Sequence, residues 1–159
     1  MFRSSSYTLL MLTVILREIY NLNMGLQEKR AIESMKTTQG PIWEKRIAEA
    51  VPGITLKLEV VWETLAVNGE LPNFGKWEWI FLESLTRAFK VICLDKKNEV
   101  SLRAHFDTIV FQNVKGAFWP ENSMSFVGKK IIIDHTLFNA EKIDDRSEVW
   151  ASLIEEKLL

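Results

Sequence analysis

The chain has 159 residues, 47% hydrophobic and 26% charged, which is the size and balance of one ordinary globular domain. Its 20 basic and 21 acidic residues leave a net charge of −1 and are mixed along the chain, so no basic block is available to track a nucleic-acid backbone. Cys93 is the only cysteine, and with His105 and His135 it completes the inventory of N and S ligands, short of the four that a structural zinc site uses.

The N-terminus carries an apolar run from Tyr7 to Ile19. With Arg3 before it, the stretch Tyr7 to Leu16 has the length of a signal peptide's hydrophobic region, but the "REIYNLNMG" that follows lacks a small-x-small cleavage site. The whole run is shorter than the roughly 20 residues that cross a bilayer, and Arg17 and Glu18 interrupt it. The preferred reading is that residues 1–23 are an extension not belonging to the natural protein, and that Met24 opens a single domain at 24–159. The competing reading is a peripheral anchor, with membrane contact made only by residues 7–19. The lone cysteine fits a reducing compartment, and the expected location is cytoplasmic.

Residues 25–50 read as helical, because Ile32, Met35, Gln39, Trp43, Ile47 and Ala50 step by three or four. Gly40-Pro41 predicts a kink or a fresh start there, and Pro52-Gly53 a stop. "ITLKLEVVW", 54–62, alternates as a half-buried strand. Asn68-Gly69 and Leu71-Pro72-Asn73 read as turns. Residues 76–93 carry the strongest helical stripe, through Trp77, Ile80, Phe81, Leu85, Ala88, Phe89 and Ile92. Asn98 is a plausible N-cap for a helix to about 107, followed by a strand at 108–113. A hairpin of 124–127 and 130–134 turns at Gly128-Lys129. A helix over 146–158 closes the chain, with Asp145 as its N-cap and Glu148 as reciprocal partner.

The resulting order, α-β-α-α-β-β-β-α, predicts an α+β fold: a mainly antiparallel sheet of about four strands with helices packed on one face. No G-x-G-x-x-G or G-x-x-x-x-G-K-[ST] run supports a phosphate loop, and no cofactor is implied.

Asp134 and His135 close the apolar stretch "KKIIID" and are the first candidates for chemistry. Adjacent residues of a strand face opposite ways, so a catalytic pair would need a turn directly after Asp134. A turn would equally use Asp and Thr to bond nearby backbone, and that structural role is the expectation. His105 is the remaining imidazole. Cys93 lies in an apolar run, where a thiol behaves as a small hydrophobe rather than a nucleophile.

Trp43, Trp77 and Trp150 fall in helical stripes and read as core. Trp62, Phe74, Trp79, Phe118 and Trp119 lie near element ends, where they could line an apolar ligand pocket; packing between helices and sheet is the ordinary alternative. Ile131 and Ile133 must face away from Ile132, so this strand is apolar on both faces and points to a homo-oligomer. The functional expectation is a small non-catalytic binding module that self-associates or takes an apolar ligand. The alternative is a hydrolase or transferase using His135 with Asp134 and His105.

Overall fold

The computed structural model describes residues 11–12, 14–15, 17–19, 24–66 and 74–159. The turns expected at Asn68-Gly69 and Leu71-Pro72-Asn73 and the start of the apolar run at Tyr7 lie outside these residues, as does the side chain of Phe74.

Helices α1 (Leu26–Thr38) and α2 (Gly40–Ala50) are separated by Gln39 alone. The backbone ladder runs through the junction, Gln39 N bonding Met35 O at 2.8 Å and Trp43 N bonding Gln39 O at 2.9 Å. Pro41 falls in the first turn of α2, where its missing N–H costs nothing. Strand β1 (Lys57–Val60) is shorter than its alternating sequence, because a 3-10 turn, Trp62–Leu65, takes over with all four side chains buried.

The long apolar stripe then forms three joined pieces: α3 (Phe74–Trp77), a π-helical stretch Glu78–Glu83, and α4 (Ser84–Ile92). A π-helix bonds i to i+5, which brings residues five apart to the same side. Glu78 and Glu83 have that spacing, and both pair with Arg46 of α2, Glu78 at 2.6 Å. Ser84 Oγ repeats it by donating to Trp79 O at 2.9 Å. Helix α5 (Lys96–His105) starts before Asn98; Asp95 is its cap, accepting from Lys97 N at 2.8 Å.

Strand β2 (Thr108–Ala117) leads through the single turn α6 (Pro120–Ser123) into β3 (Met124–Val127) and β4 (Lys130–His135). Gly128, at φ +57°, provides the left-handed corner of the hairpin. Helix α7 (Ile143–Leu158) begins two residues before Asp145, and no side chain caps it.

The sheet order is β1-β2-β4-β3, with β1–β2 and β2–β4 parallel and β3–β4 antiparallel. The expectation of a mainly antiparallel sheet is therefore corrected: the fold is α+β with a four-stranded mixed sheet. Two connections account for the difference. Between β1 and β2 the chain passes through α3, the π stretch, α4 and α5, a crossover of the length that parallel neighbours need. The hairpin then inserts its second strand, β4, beside β2 and leaves β3 at the edge.

Leu58, Ile109, Phe111, Ile131 and Ile133 point to the helical side and join Trp43, Ile47, Trp77, Phe81, Phe89 and Trp150 in one core. Val61, Val110 and Ile132, with Val127 against them, form a small separate cluster on the other face. Glu59, in one row with Val110 and Ile132, is bonded to Lys57 at 3.0 Å and to Lys130 at 2.9 Å. The second face is thus a narrow aliphatic strip beside ion-paired side chains. Among the described residues no helical side chain joins it.

Candidate functional site

Asp134 and His135 both belong to β4, and the strand continues through them without a turn. Their side chains accordingly take opposite faces. Between Gln112, paired with Asp134, and Ala117, paired with His135, β2 bulges outward. The Asp134 carboxylate fills the bulge. Oδ1 accepts from the backbone N–H groups of Val114 at 2.9 Å, Lys115 at 3.1 Å and Gly116 at 3.0 Å, while Oδ2 accepts from Gln112 Nε2 at 2.9 Å. Gly116 closes the turn at φ +64°, and a Cβ there would meet Asn113 Oδ1 at 2.9 Å. Successive N–H groups converging on one carboxylate form an anion nest, with the anion supplied by the chain itself.

His135 is fully buried on the core side, edge-on to Trp150. Its Nδ1 lies 2.5 Å from Thr136 O, and Arg146 Nε donates toward its Nε2 across 3.4 Å. An Nε2 that accepts leaves the ring proton on Nδ1, donated to Thr136 O. Burial lowers the pKa of His135 to about 4; the bond to Thr136 offsets part of this, Arg146 lowers it further and Asp134 raises it. At neutral pH the ring is uncharged, and both nitrogens are engaged.

Arg146, only 1% exposed, is held by neutral oxygens. Nη1 donates to Ser84 Oγ at 3.1 Å and Ala140 O at 3.5 Å, and Nη2 to Asn139 O at 2.5 Å. Asn139 takes a left-handed φ of +52°, which short polar side chains tolerate. Burial brings the Arg146 pKa down to about 10, against the pull of Glu141 and Asp145, so it stays cationic at neutral pH. The pair Asp134–His135 therefore holds together a bulge and a buried arginine, with no partner common to both side chains.

The remaining nucleophile and base candidates stand apart. His105 is exposed at the end of α5, its Nδ1 2.8 Å from Ser101 O. Cys93 is half-buried, and burial raises its thiol pKa, partly offset by Arg103 and Lys96. Among the described residues no three His, Cys, Asp or Glu side chains gather as metal ligands would.

The aromatic candidates separate into three places. Trp62 is buried, 5.4 Å from Trp43 between ring centroids, and lines a cleft of about 140 Å³ with Lys36, Pro41, Glu44 and Val60. Trp79 is 45% exposed on the π stretch. Phe118 and Trp119, 58% and 56% exposed, meet Phe138, 46% exposed, in edge-on contacts with centroids 5.3 and 6.3 Å apart. The backbone beneath this third group is pinned. Thr136 N bonds Ala117 O at 3.1 Å, and the Trp150 indole N–H bonds Ser123 Oγ at 3.0 Å and Pro120 O at 3.3 Å. Phe118 and Trp119 thus project from backbone anchored on both sides of them, at Ala117 and at Pro120.

Sequence reasoning passed over Phe138 and Arg146. Phe138 is a lone aromatic in the polar segment after β4. Arg146 lies one helical turn before Trp150 and two before Ile154, on the apolar stripe itself, which is the signal that could have found it.

Comparison of the chain with protein-family models, with curated proteins and with solved structures gives no match.

Proposed function

We propose that the protein is a small non-catalytic binding module that docks a protein surface, in the first place a second copy of the same chain, through Phe118, Trp119 and Phe138. The observation carrying this reading is that two half-exposed rings, Phe118 and Trp119, each meet a third, Phe138, while the backbone flanking the first two is pinned. Contiguous exposed apolar surface marks interaction sites, and aromatic side chains are the usual anchors of such interfaces.

A protein surface fits better than a small apolar ligand, which needs a concave site of roughly 300 Å³ or more; the cleft beside Trp62 offers about 140 Å³. A second copy fits because an uncharged aromatic patch is complementary to itself across a two-fold axis, where rings repeat the edge-on contacts they already make. Sedimentation velocity from micromolar to millimolar concentration tests the reading. Wild type should shift from monomer to dimer, and a Trp119→Ser/Phe138→Ser variant should remain monomeric throughout. A wild type that stays monomeric over the whole range contradicts it.

A further inference from the structure

Strand β1 closes one end of the sheet, and among the described residues no strand lies beyond it. Lys57 N bonds Asp107 O and Val61 N bonds Phe111 O, both at 2.9 Å, so these residues turn their backbone groups toward β2. Successive residues of a strand turn those groups to opposite sides. The N–H and C=O of Leu58 and Val60 therefore point out of the sheet edge, away from β2. The side chains of the same two residues line the cleft beside Trp62, and Gly40, Pro41 and Glu44 of α2 stand across it. An open row of backbone donors and acceptors thus runs alongside a recess between strand and helix. The recess measures about 140 Å³, and the Trp62 ring in its wall is backed by Trp43, with centroids 5.4 Å apart. Gly40 helps to keep it open, since a Cβ there would lie 3.4 Å from Trp62 Cζ2.

We infer that an extended peptide segment of a partner protein adds to the β1 edge, bonding Leu58 and Val60 through its backbone and seating one aliphatic side chain against Trp62. Two observations of different kinds meet in that occupant. An unpaired strand edge is completed by another strand, whose alternate side chains enter pockets beside it. A cavity of roughly 150 Å³ takes one benzene-sized group, so a recess of this size holds a single side chain and not a whole ligand. The rim adds a charge preference. Lys36 Nζ is already bonded to Glu63 at 3.0 Å, whereas Glu44 is exposed and enters no ion pair among the described residues. Residues two apart on a strand share a face, so a basic residue two positions from the aliphatic one lies on the Glu44 side. A second copy of β1 is a poor occupant. Pairing this edge with itself about a two-fold axis sets two copies of Glu59 face to face, and like charges directly opposite destabilise a sheet. The cleft shares no residue with Phe118, Trp119 and Phe138, so it is a surface apart from the one proposed for self-docking.

The test is an NMR titration of the full chain with the end-capped peptide TKTLTKT, whose leucine and lysines share one face. The Leu58 and Val60 amide signals should move and their hydrogen exchange should slow, saturating below about 1 mM peptide. Replacing the leucine by alanine, or N-methylating the peptide backbone, should weaken binding roughly tenfold or more. Gly40→Val should weaken it as well, by filling the recess. Glu44→Lys, a surface change that leaves the thermal transition as in wild type, should prefer TETLTET to TKTLTKT. Leu58 and Val60 amides that stay in place up to millimolar peptide overturn the inference. So does equal binding of the alanine peptide, which would bypass the recess, or of the N-methylated one, which would bypass the strand edge. Trp119→Ser/Phe138→Ser should bind TKTLTKT as wild type does, and loss of binding in that variant alone also overturns the inference. Because that variant separates the two surfaces, failure of peptide binding leaves the dimer reading to stand or fall by itself.

Discussion

Arg146 Nε faces His135 Nε2 across 3.4 Å in the core, a buried cation donating to a buried neutral imidazole. The arginine's other bonds go to Ser84, Asn139 and Ala140, so none of the carboxylates described pairs with it. The contact ties β4 to α7 and to the start of α4. It also fixes how the protein responds to acid.

The unfolded chain protonates His135 near the ordinary 6.5, whereas the folded chain resists until about 4. Between those values the unfolded state binds the extra proton, so this contribution is complete above about pH 6.5 and is lost as pH falls toward 4. At about 1.4 kcal/mol per pH unit the loss is roughly 3 kcal/mol. Urea unfolding of wild type and His135→Gln from pH 7 to pH 4 should show wild type losing about that much more stability than the variant. Parallel pH profiles would show that His135 is not buried against Arg146.

Arg146→Leu keeps much of the volume but takes the guanidinium donors from the Asn139 and Ala140 carbonyls, the Ser84 hydroxyl and His135 Nε2. Asn139 O is left only its bond from Lys142 N, and Ser84 Oγ only its bond to Trp79 O. The expected cost is about 3 kcal/mol in denaturant unfolding, in the range for breaking a buried charged network. The His135 pKa should rise in the variant, because a neighbouring positive charge has gone; an NMR titration of the ring reads this directly.

Asp134→Ala removes the acceptor of three consecutive backbone N–H groups. About 2–3 kcal/mol should be lost, since those donors are left without their partner. Hydrogen exchange at Val114, Lys115 and Gly116 should accelerate, and that local readout distinguishes a bulge anchor from a general effect. Unchanged protection at these three amides would contradict the role.

Arg46 clamps Glu78 and Glu83 across the π stretch from about one-third exposed positions, so solvent screening limits its worth. Arg46→Met should cost about 1 kcal/mol, lowering Tm by roughly 2–4 °C for a domain of this size. Glu78→Gln and Glu83→Gln should be non-additive, because both carboxylates share one guanidinium.

Much of this fold could be read from local pattern. The stripes carrying Trp43, Trp77 and Trp150 predict the buried helix faces, and Gly128 predicts the hairpin corner, because each depends on residues close in sequence. Strand direction depends on partners far apart, and there adjacency in sequence misleads. A sign was nevertheless present: Thr108–Phe111 and Ile131–Ile133 are continuous buried runs rather than alternations, the pattern of central strands in parallel pairing. The nest around Asp134 was not legible, because its donors lie 18 to 20 residues upstream and meet it only through the bulge in β2. The aromatic cluster was legible in part. Phe118 and Trp119 stand out in sequence, while Phe138 joins them only when β2 and β4 pair.

The most direct test of the docking surface is the indole N–H region of the NMR spectrum, followed as the protein is concentrated. The Trp119 signal should move with concentration along a monomer–dimer curve, while those of the buried Trp43, Trp77 and Trp150 hold still. A Trp119 signal that does not move up to millimolar concentration would contradict docking through Phe118, Trp119 and Phe138.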